Sequence, residues 1–257
     1  MSFHYVRNKL HEFHQQWYDL IEKSDFSITT FLAFGAVLQL LSFTLLPPRV
    51  SLLVPLTWLG YRIIISAFRT RDVGKSCFTD VVKGMHITQM PESSDGIVVF
   101  ILGARFNHPF GKLAPGMVGL DIDYKPLWRE AEKNREKWGF LGRTMTLVDT
   151  SDNEGTTNIW ISYWKDVKGL HSFATCAEHR VVWDGYKGGK YPYIGIFHEL
   201  YHVPKGSMEA IYGDFPKYGL GAVKFPRSGT KDQGEVEEVL VQNWKGSNSY
   251  ARMRRTK

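Results

Sequence analysis

Cysteine is scarce in this chain, with two residues, Cys77 and Cys176, among 257. Two thiols so far apart in sequence provide neither a disulfide framework nor the paired spacing of a zinc site. The sequence therefore excludes a disulfide-stapled secreted scaffold. It fits a reducing, cytosol-facing compartment, in which we expect both cysteines to be small buried apolar side chains.

Charge is missing from residues 28–46, where Phe, Leu, Ile, Val and Ala fill most positions. At a helical rise of ~1.5 Å these residues span about 28 Å, close to the roughly 30 Å of a hydrocarbon core. Pro47, Pro48 and Arg49 interrupt the run, and residues 50–68 form a second one whose only charge is Arg62. The pattern predicts a transmembrane helical hairpin over residues 28–68.

Two other interpretations of these runs are weaker. A signal peptide is disfavoured because the first run starts late, is long and lacks a small-x-small cleavage site. A pair of buried helices in a soluble core is disfavoured because the remaining chain is too small to cover two nearly uncharged helices. We keep the buried pair as the alternative.

Basic residues flank the hairpin on both sides. Arg7, Lys9 and Lys23 precede it, Arg69, Arg71 and Lys75 follow it, and the turn holds only Arg49. The positive-inside rule then places both ends in the cytosol. We expect a membrane protein, in the endoplasmic reticulum, whose soluble domain faces the cytosol.

The two ends of the chain have their own patterns. Apolar residues recur at spacings of three and four within residues 1–25, which predicts an amphipathic helix that lies in the membrane interface or packs on the domain. Residues 246–257 form a basic tail. The net charge of +6 comes largely from such flanks, and the folded part is mixed in sign, so we expect no nucleic acid partner.

Residues 76–245 read as one soluble α+β domain. Strands are predicted at 97–102, 144–148, 158–164 and 193–203, with helices at 125–138 and 166–183 and a Gly/Pro-rich loop over 105–119. The order is β-α-β-β-α-β, the ferredoxin-like arrangement. Because helices cover one face of such a sheet, its other face needs a cover, and we expect a second copy of the chain, that is, a homodimer.

A literal H-E-x-x-H occurs at residues 198–202. In zinc peptidases this motif lies on a helix, but here strand-forming neighbours and Pro204 predict a strand, and no third ligand has suitable spacing. We therefore expect no metal. On a strand, His198 and His202 share one face with Leu200, while Glu199 and Tyr201 point to the other.

Several histidines are candidates for chemistry. His198 is either a core histidine with a satisfied partner or a base in an apolar cavity, where burial would lower its pKa. His179 and Arg180, in the second helix, form a cap or carboxylate partner, or else His179 is a base or haem ligand. Asn107 follows the first strand in a loop that could close over a ligand.

Six segments resemble one known family. They are VFILGARFNHP at 99–109, ISYWK at 161–165, His179-Arg180 with Trp183, IGIFHE at 194–199 continuing to Val203-Pro204, EAIY at 209–212, and Gly219-Leu220. Together they are similar to a fungal and bacterial family of dimeric α/β barrels with members described as monooxygenases, one of them from the fungal fumagillin pathway. The resemblance covers roughly residues 76–225.

The resemblance implies a monooxygenase that oxidises a lipophilic terpenoid or polyketide with molecular oxygen and no evident cofactor, although haem stays open. The expected catalytic residues are His198, His179 and Tyr201. We expect six residues to bind the substrate: Trp164, Asn107, Phe106, Tyr163, Glu199 and Arg180. The alternatives are a haem-dependent or cofactor-free lyase or isomerase on the same fold, and a non-catalytic membrane-tethered binding module.

Overall fold

The structure is a computed structural model that describes residues 22, 24–73, 80–92, 94–152, 154–226 and 236–246. The predicted amphipathic N-terminal helix lies almost wholly outside the described residues. So does the predicted basic tail beyond residue 246, and so does Cys77.

Two apolar helices stand first in the described chain. Helix α1 is Ile28–Leu45, and its N-cap Ser27 accepts a hydrogen bond from the Thr30 N–H through its side chain. Helix α2 is Pro48–Val73, so Pro48 takes the first helical position, where a missing N–H costs nothing. Ser42 donates from its hydroxyl to the Ser51 hydroxyl (3.0 Å), and Ser51 donates to the Ser42 carbonyl (2.9 Å). These polar contacts join the two helices.

Both helices are exposed rather than packed in a core. No residue of α1 is buried, and within residues 48–68 of α2 only Ser51 is, whereas a soluble core would bury most of such helices. The alternative of a buried helix pair is therefore not what the structure shows. By length and composition alone both helices could cross a membrane, and α1 also has the position of a signal sequence.

The main sheet has five antiparallel strands. They are β2 (Gly96–Phe106), β3 (Phe140–Arg143), β4 (Leu147–Asp149), β5 (Thr156–Trp164) and β6 (Ile194–Pro204). Their order is β3-β5-β2-β6, with β4 also paired to β5. Helices α3 (Met117–Lys133) and α4 (Arg135–Trp138) connect β2 to β3, and α5 (Val167–Ala174) and α6 (Ala177–Lys187) connect β5 to β6. This order confirms the predicted β-α-β-β-α-β arrangement.

The first predicted helix and the loop before it have different bounds in the structure. Strand β2 continues to Phe106 and α3 begins at Met117, so the predicted loop over 105–119 is shorter at both ends. Gly116 has a φ of 83° as the α3 N-cap, a conformation that glycine adopts without strain. A separate helix, α4, then ends at Gly139, which is also left-handed.

Two further elements differ from the prediction. Of the strand predicted over 144–148, Leu147 and Val148 belong to β4, whereas β3 ends before it at Arg143. Between them, Thr144 donates from its N–H to the Ile161 carbonyl (2.8 Å) and accepts the Ile161 N–H on its side-chain oxygen (3.1 Å). The helix predicted over 166–183 begins as expected, with Asp166 accepting the Gly169 N–H (2.7 Å). It breaks at Cys176, whose extended backbone is the N-cap of α6.

The helix side of the main sheet carries the larger core. Its alternating residues Val98, Trp160 and Trp164 are buried against α3, α5 and α6. The Trp164 ring lies 5.0 Å from Phe140 and 5.2 Å from Phe173, centroid to centroid. Burial of such aromatic area stabilises the layer far more than any single hydrogen bond does.

The opposite side of the sheet is not fully open, contrary to the prediction. The chain covers part of it with its own C-terminal segments, since Val223, Phe225 and Val239 pack against Ile97 and Tyr163. Two further sheets were not predicted. One contains β1 (Val81–Thr88), β7 (Ile211–Pro216) and β10 (Leu240–Gln242), and the other pairs β8 (Lys224–Pro226) with β9 (Val236–Glu238).

A buried ionic cluster holds the segment before α1 against the domain. The Lys112 ammonium lies 3.0 Å from both Asp25 and Asp121, and the Lys125 ammonium lies 3.0 Å from Asp121 and 2.9 Å from Glu22. The side chains of Lys112 and Asp25 are each 7% exposed. Burial raises the pKa of Asp25, against the hydrogen bonds from the Glu22 backbone and Lys112 that lower it.

The same segment has two further attachments. Asn158 of β5 donates from its side-chain amide to the Ser24 carbonyl (3.0 Å), and the Lys112 N–H donates to the Asp25 carbonyl (3.2 Å). Gly111 has a φ of 47°, and a Cβ there would stand 2.5 Å from the Asp25 carbonyl oxygen. Glycine is therefore required for this close approach.

Replacement of Lys112 tests how much the domain depends on the buried cluster. We expect Lys112→Met to lower the free energy of unfolding by about 3–5 kcal/mol, because it leaves the Asp25 carboxylate buried without its cation. The matched control is Lys190→Met, whose lysine is 54% exposed and pairs with Asp123. Thermal unfolding in detergent compares the two variants, and equal losses would contradict a central role for the cluster.

Candidate functional site

The two histidines of the H-E-x-x-H motif lie on strand β6, as predicted. Pairing of β6 with β2 sets His202 opposite Val98 and His198 opposite Leu102, so both histidines are on the helix side. A zinc peptidase needs the pair on a helix. Within the described residues, moreover, no group of three or more His, Cys, Asp or Glu side chains is arranged to hold a metal ion.

His198 is exposed, so the predicted burial of this side chain is wrong. Strand β6 is the last strand of the main sheet and pairs only with β2 in that sheet. Its helix-side neighbour Leu200 is 43% exposed for the same reason. The His198 ring still has one aromatic contact, with Phe100 of β2 at 5.5 Å between centroids.

His179 of α6 is partly buried. Its Nδ1 atom is buried and has no hydrogen-bond partner in the described chain, and its ring meets the edge of Phe173 at 6.2 Å. Burial lowers the pKa of His179 below its ordinary value of 6.5, because water no longer solvates the charged form. The imidazole is therefore neutral at pH 7.

Contacts on the helix side connect the two histidines. Phe173, which touches His179, packs on Trp164. The Trp164 indole N–H donates to the Ser162 hydroxyl (2.9 Å), and Ser162 donates to the carbonyl of Phe100 (3.1 Å), whose ring meets His198. We call Phe173, Trp164 and Phe100 the aromatic wall. The wall contacts His179 through Phe173 and His198 through Phe100, and it contains Trp164. These are three of the predicted site residues.

Three predicted site residues lie on the opposite side of the sheet. Tyr201 donates from its hydroxyl to Glu199 (2.7 Å), and this hydrogen bond raises the pKa of Tyr201. Tyr163 is buried beneath the C-terminal segments, and burial raises its pKa to about 12. A residue on this side cannot reach the aromatic wall through the sheet, so the structure divides the predicted site in two.

The remaining predicted residues are dispersed. Asn107, just after β2, accepts a hydrogen bond from Arg105 on its side-chain oxygen, and Phe106 packs against the far end of the helix-side core. Arg180 is exposed on α6. Asn107 and Phe106 lie at the end of β2, whereas Arg180 follows His179 directly in α6.

Sequence reasoning missed Ser162 and Asn158. Ser162 is fully buried and its hydroxyl joins β2 to Trp164. Asn158 is buried with an unpartnered Oδ1 within the described residues. Alternation along β5 places both on the helix side with Trp160 and Trp164. In the sequence, the position of Ser162 between two tryptophans on the same strand face is the pattern that could have indicated its buried hydroxyl.

The arrangement fits proton transfer in an apolar setting. A neutral imidazole accepts a proton, and low local polarity strengthens its interaction with the charge that forms. Trp164 and Phe173 are closed in the core, at 1 and 6% exposed, so a ring-containing or isoprenoid ligand would meet the aromatic wall at Phe100, which is partly buried.

Two solved structures show partial likeness to the chain. One is an aldoxime dehydratase in complex with butyraldoxime, at 16% identity, covering 55% of this chain and 41% of that chain with a TM-score of 0.37. The other is SnoaB, a cofactor-independent oxygenase from Streptomyces nogalater, at 14% identity, covering 43% and 95% with a TM-score of 0.29. Because both TM-scores are low, these two structures are not used to assign the fold. The assignment depends on the order of strands and helices in this chain.

Likeness in sequence is more informative. Residues 97–220 match the family model of Monooxygenase af470-like proteins. Monooxygenase af470 of Aspergillus fumigatus is 26% identical over 223 residues, which are 82% of this chain and 80% of that protein. The matched segment contains His179, His198 and the whole aromatic wall. The resemblance to a monooxygenase family predicted from the sequence is therefore confirmed, and it is the Monooxygenase af470-like family that residues 97–220 match.

Proposed function

We propose that this protein is a membrane-attached monooxygenase-like enzyme that oxidises a lipophilic small molecule, of the terpenoid or polyketide class. The observation that carries the proposal is the environment of His179. A half-buried imidazole with an unpartnered Nδ1 lies beside an aromatic wall, inside the segment that matches a monooxygenase family. A buried group without a partner is costly for stability and is commonly retained for function.

The proposed chemistry starts with proton removal. His179 Nδ1 takes a proton from an activated C–H or O–H bond of the substrate. This step requires the packing around Phe173 to open and admit the substrate, because Nδ1, Phe173 and Trp164 are closed to solvent. The resulting anion is oxidised by dioxygen. For a CH₂ group that becomes C=O, one oxygen atom enters the product and the other leaves as water with the two hydrogens. The substrate then supplies all four electrons that reduce dioxygen, so no external reductant is required.

Haem is the alternative cofactor. His179, whose buried Nδ1 has no partner within the described residues, is the residue that would hold a haem, and bound haem would supply redox or Lewis-acid chemistry. Our proposal is the cofactor-free route. The absorption spectrum of the purified protein separates them, because a Soret band would assign the haem enzyme and contradict the cofactor-free one.

We further propose that α1 and α2 span the endoplasmic reticulum membrane with the domain on the cytosolic side. Supporting observations are their exposed apolar surfaces and the basic residues on both flanks. The serine contacts between the helices leave fewer polar groups facing lipid, where an unpaired group is costly. A lipophilic substrate would concentrate in the same membrane.

A second copy of the chain is the proposed partner of β6. This strand is 11 residues long and its outer edge has no partner within the described residues. Large apolar side chains on both of its faces are exposed, among them Phe197 (44%) and Leu200 (43%). A long apolar edge strand is a template for pairing, and the proposed homodimer would cover it.

Replacement of His179 tests the function. We expect His179→Gln to lower turnover by roughly 10²–10⁴-fold, the range for a lost general base, with little change in the thermal midpoint. As the pH decreases, wild-type activity should fall only below about 6.5. The reason is that burial lowers the pKa of His179, so its protonation requires a lower pH than that of an ordinary histidine. The control is His171→Gln on α5, where the histidine is exposed.

The assay uses lipophilic metabolites extracted from cells that lack the gene. Purified protein is incubated with the extract and isotopically labelled dioxygen, and mass spectrometry follows a product that gains one labelled atom. Absence of labelled product, or full turnover by His179→Gln, would sink the proposal.

Membrane orientation has a direct test. Protease added to intact microsomes should digest the domain after residue 80, because the domain would face the cytosol. A lumenal marker protein is the control and should survive. Protection of the domain until detergent is added would reverse the orientation.

Dimerisation through β6 is tested by Phe197→Glu in the full chain. In detergent, the wild type should sediment as a dimer and the variant as a monomer, because a buried unpaired carboxylate opposes association. The control is Val167→Glu, at a similarly exposed site (44%) on α5. A monomeric wild type at micromolar concentration would contradict the dimer.

A further inference from the structure

A second exposed apolar surface lies beside the start of α1. It is formed by residues next to and within the short turn Gly111–Leu113 and by residues in the first two turns of α3. Helix α3 packs against this turn. The residues are Phe110, Leu113, Val118 and Ile122, with exposed fractions of 61, 63, 49 and 66%. We call them the apolar shelf. Scattered apolar residues are normal on a surface, but a group of large ones marks an interaction site.

The shelf is continuous with α1 through Phe26. A Cβ on Gly111 would lie 3.2 Å from the Phe26 ring. That ring packs edge-on against Phe31 at 5.5 Å and Phe34 at 5.4 Å, both in the first two turns of α1. The turn that carries the shelf is thus held next to the point where α1 begins.

Charge around the shelf is compatible with a lipid surface. The neighbouring carboxylates Asp25, Asp121 and Asp123 each have a lysine partner, namely Lys112 for the first two and Lys190 for the third. Paired carboxylates repel anionic lipid less than free ones do. Of the two lysines, Lys190 is 54% exposed, and an exposed lysine near apolar residues is typical of the membrane interface.

We propose that the apolar shelf inserts into the headgroup and upper acyl region of the membrane that α1 and α2 span. This inference rests on the membrane attachment proposed above. The first turn of α1 must cross the interface if α1 spans the bilayer, and the shelf is fixed beside that turn by the buried ionic cluster. The domain therefore contacts lipid at a second place, and its orientation on the membrane is set by both contacts.

Fluorescence quenching in vesicles tests the insertion. Single cysteines at Leu113→Cys and Ile122→Cys, in full-length protein with Cys77→Ser and Cys176→Ser, are labelled with an environment-sensitive fluorophore. The protein is reconstituted in phosphatidylcholine–phosphatidylserine vesicles with nitroxides at shallow or deep acyl positions. We expect shallow nitroxides to quench both shelf labels and deep nitroxides to quench them less.

Two control positions separate the possible failures. Leu38→Cys, in the middle of α1, should be quenched most by deep nitroxides, and Val181→Cys, 59% exposed on α6, should not be quenched. Quenching at 38 without quenching at 113 and 122 would overturn the shelf insertion and leave the membrane span intact. No quenching at 38 would overturn the span and the shelf insertion together.

Discussion

The position of the helical hairpin on the domain depends on the buried ion pair between Lys112 and Asp25. Apolar contacts can hold a segment in many registers, but an ammonium and a carboxylate removed from water have one acceptable arrangement, since either alone costs several kcal/mol. Asp25 is three residues before α1, and Lys112 lies between β2 and α3. One ion pair thus fixes where the helical hairpin leaves the domain, and with it the position of the apolar shelf.

The sequence predicted those elements whose own residues determine their conformation. Strands β2 and β6 are apolar and β-branched enough to be recognised alone, and the alternation that placed His198 and Glu199 on opposite faces follows from strand geometry. The breaks were not predictable in the same way. Cys176 ends one helix and begins another because its backbone is extended, and no residue type enforces that. Sheets such as β10-β1-β7 depend on pairing between distant segments, which local patterns do not encode.

The site was predicted less well than the fold, for a related reason. The sequence gives the residues on one strand face, but not whether a helix covers that part of the face. His198 was expected to be buried because its neighbours are apolar, yet an edge strand in a single chain leaves it exposed. For His179 the sequence leaves a helix cap, a carboxylate partner, a base and a haem ligand open, and the packing against Phe173 is what shows its buried nitrogen. Ser162 is informative only once its hydroxyl is known to join β2 to Trp164.

The exposed apolar surface of α1 and α2 bears on how reaction rates would be measured. If the hairpin lies in a bilayer and the substrate dissolves there too, enzyme and substrate meet in two dimensions. The quantity that saturates the enzyme is then the mole fraction of substrate among the lipids, not its concentration in the buffer. Adding more vesicles at constant total substrate would dilute the substrate within the lipid and slow the reaction, although nothing in the aqueous phase has changed.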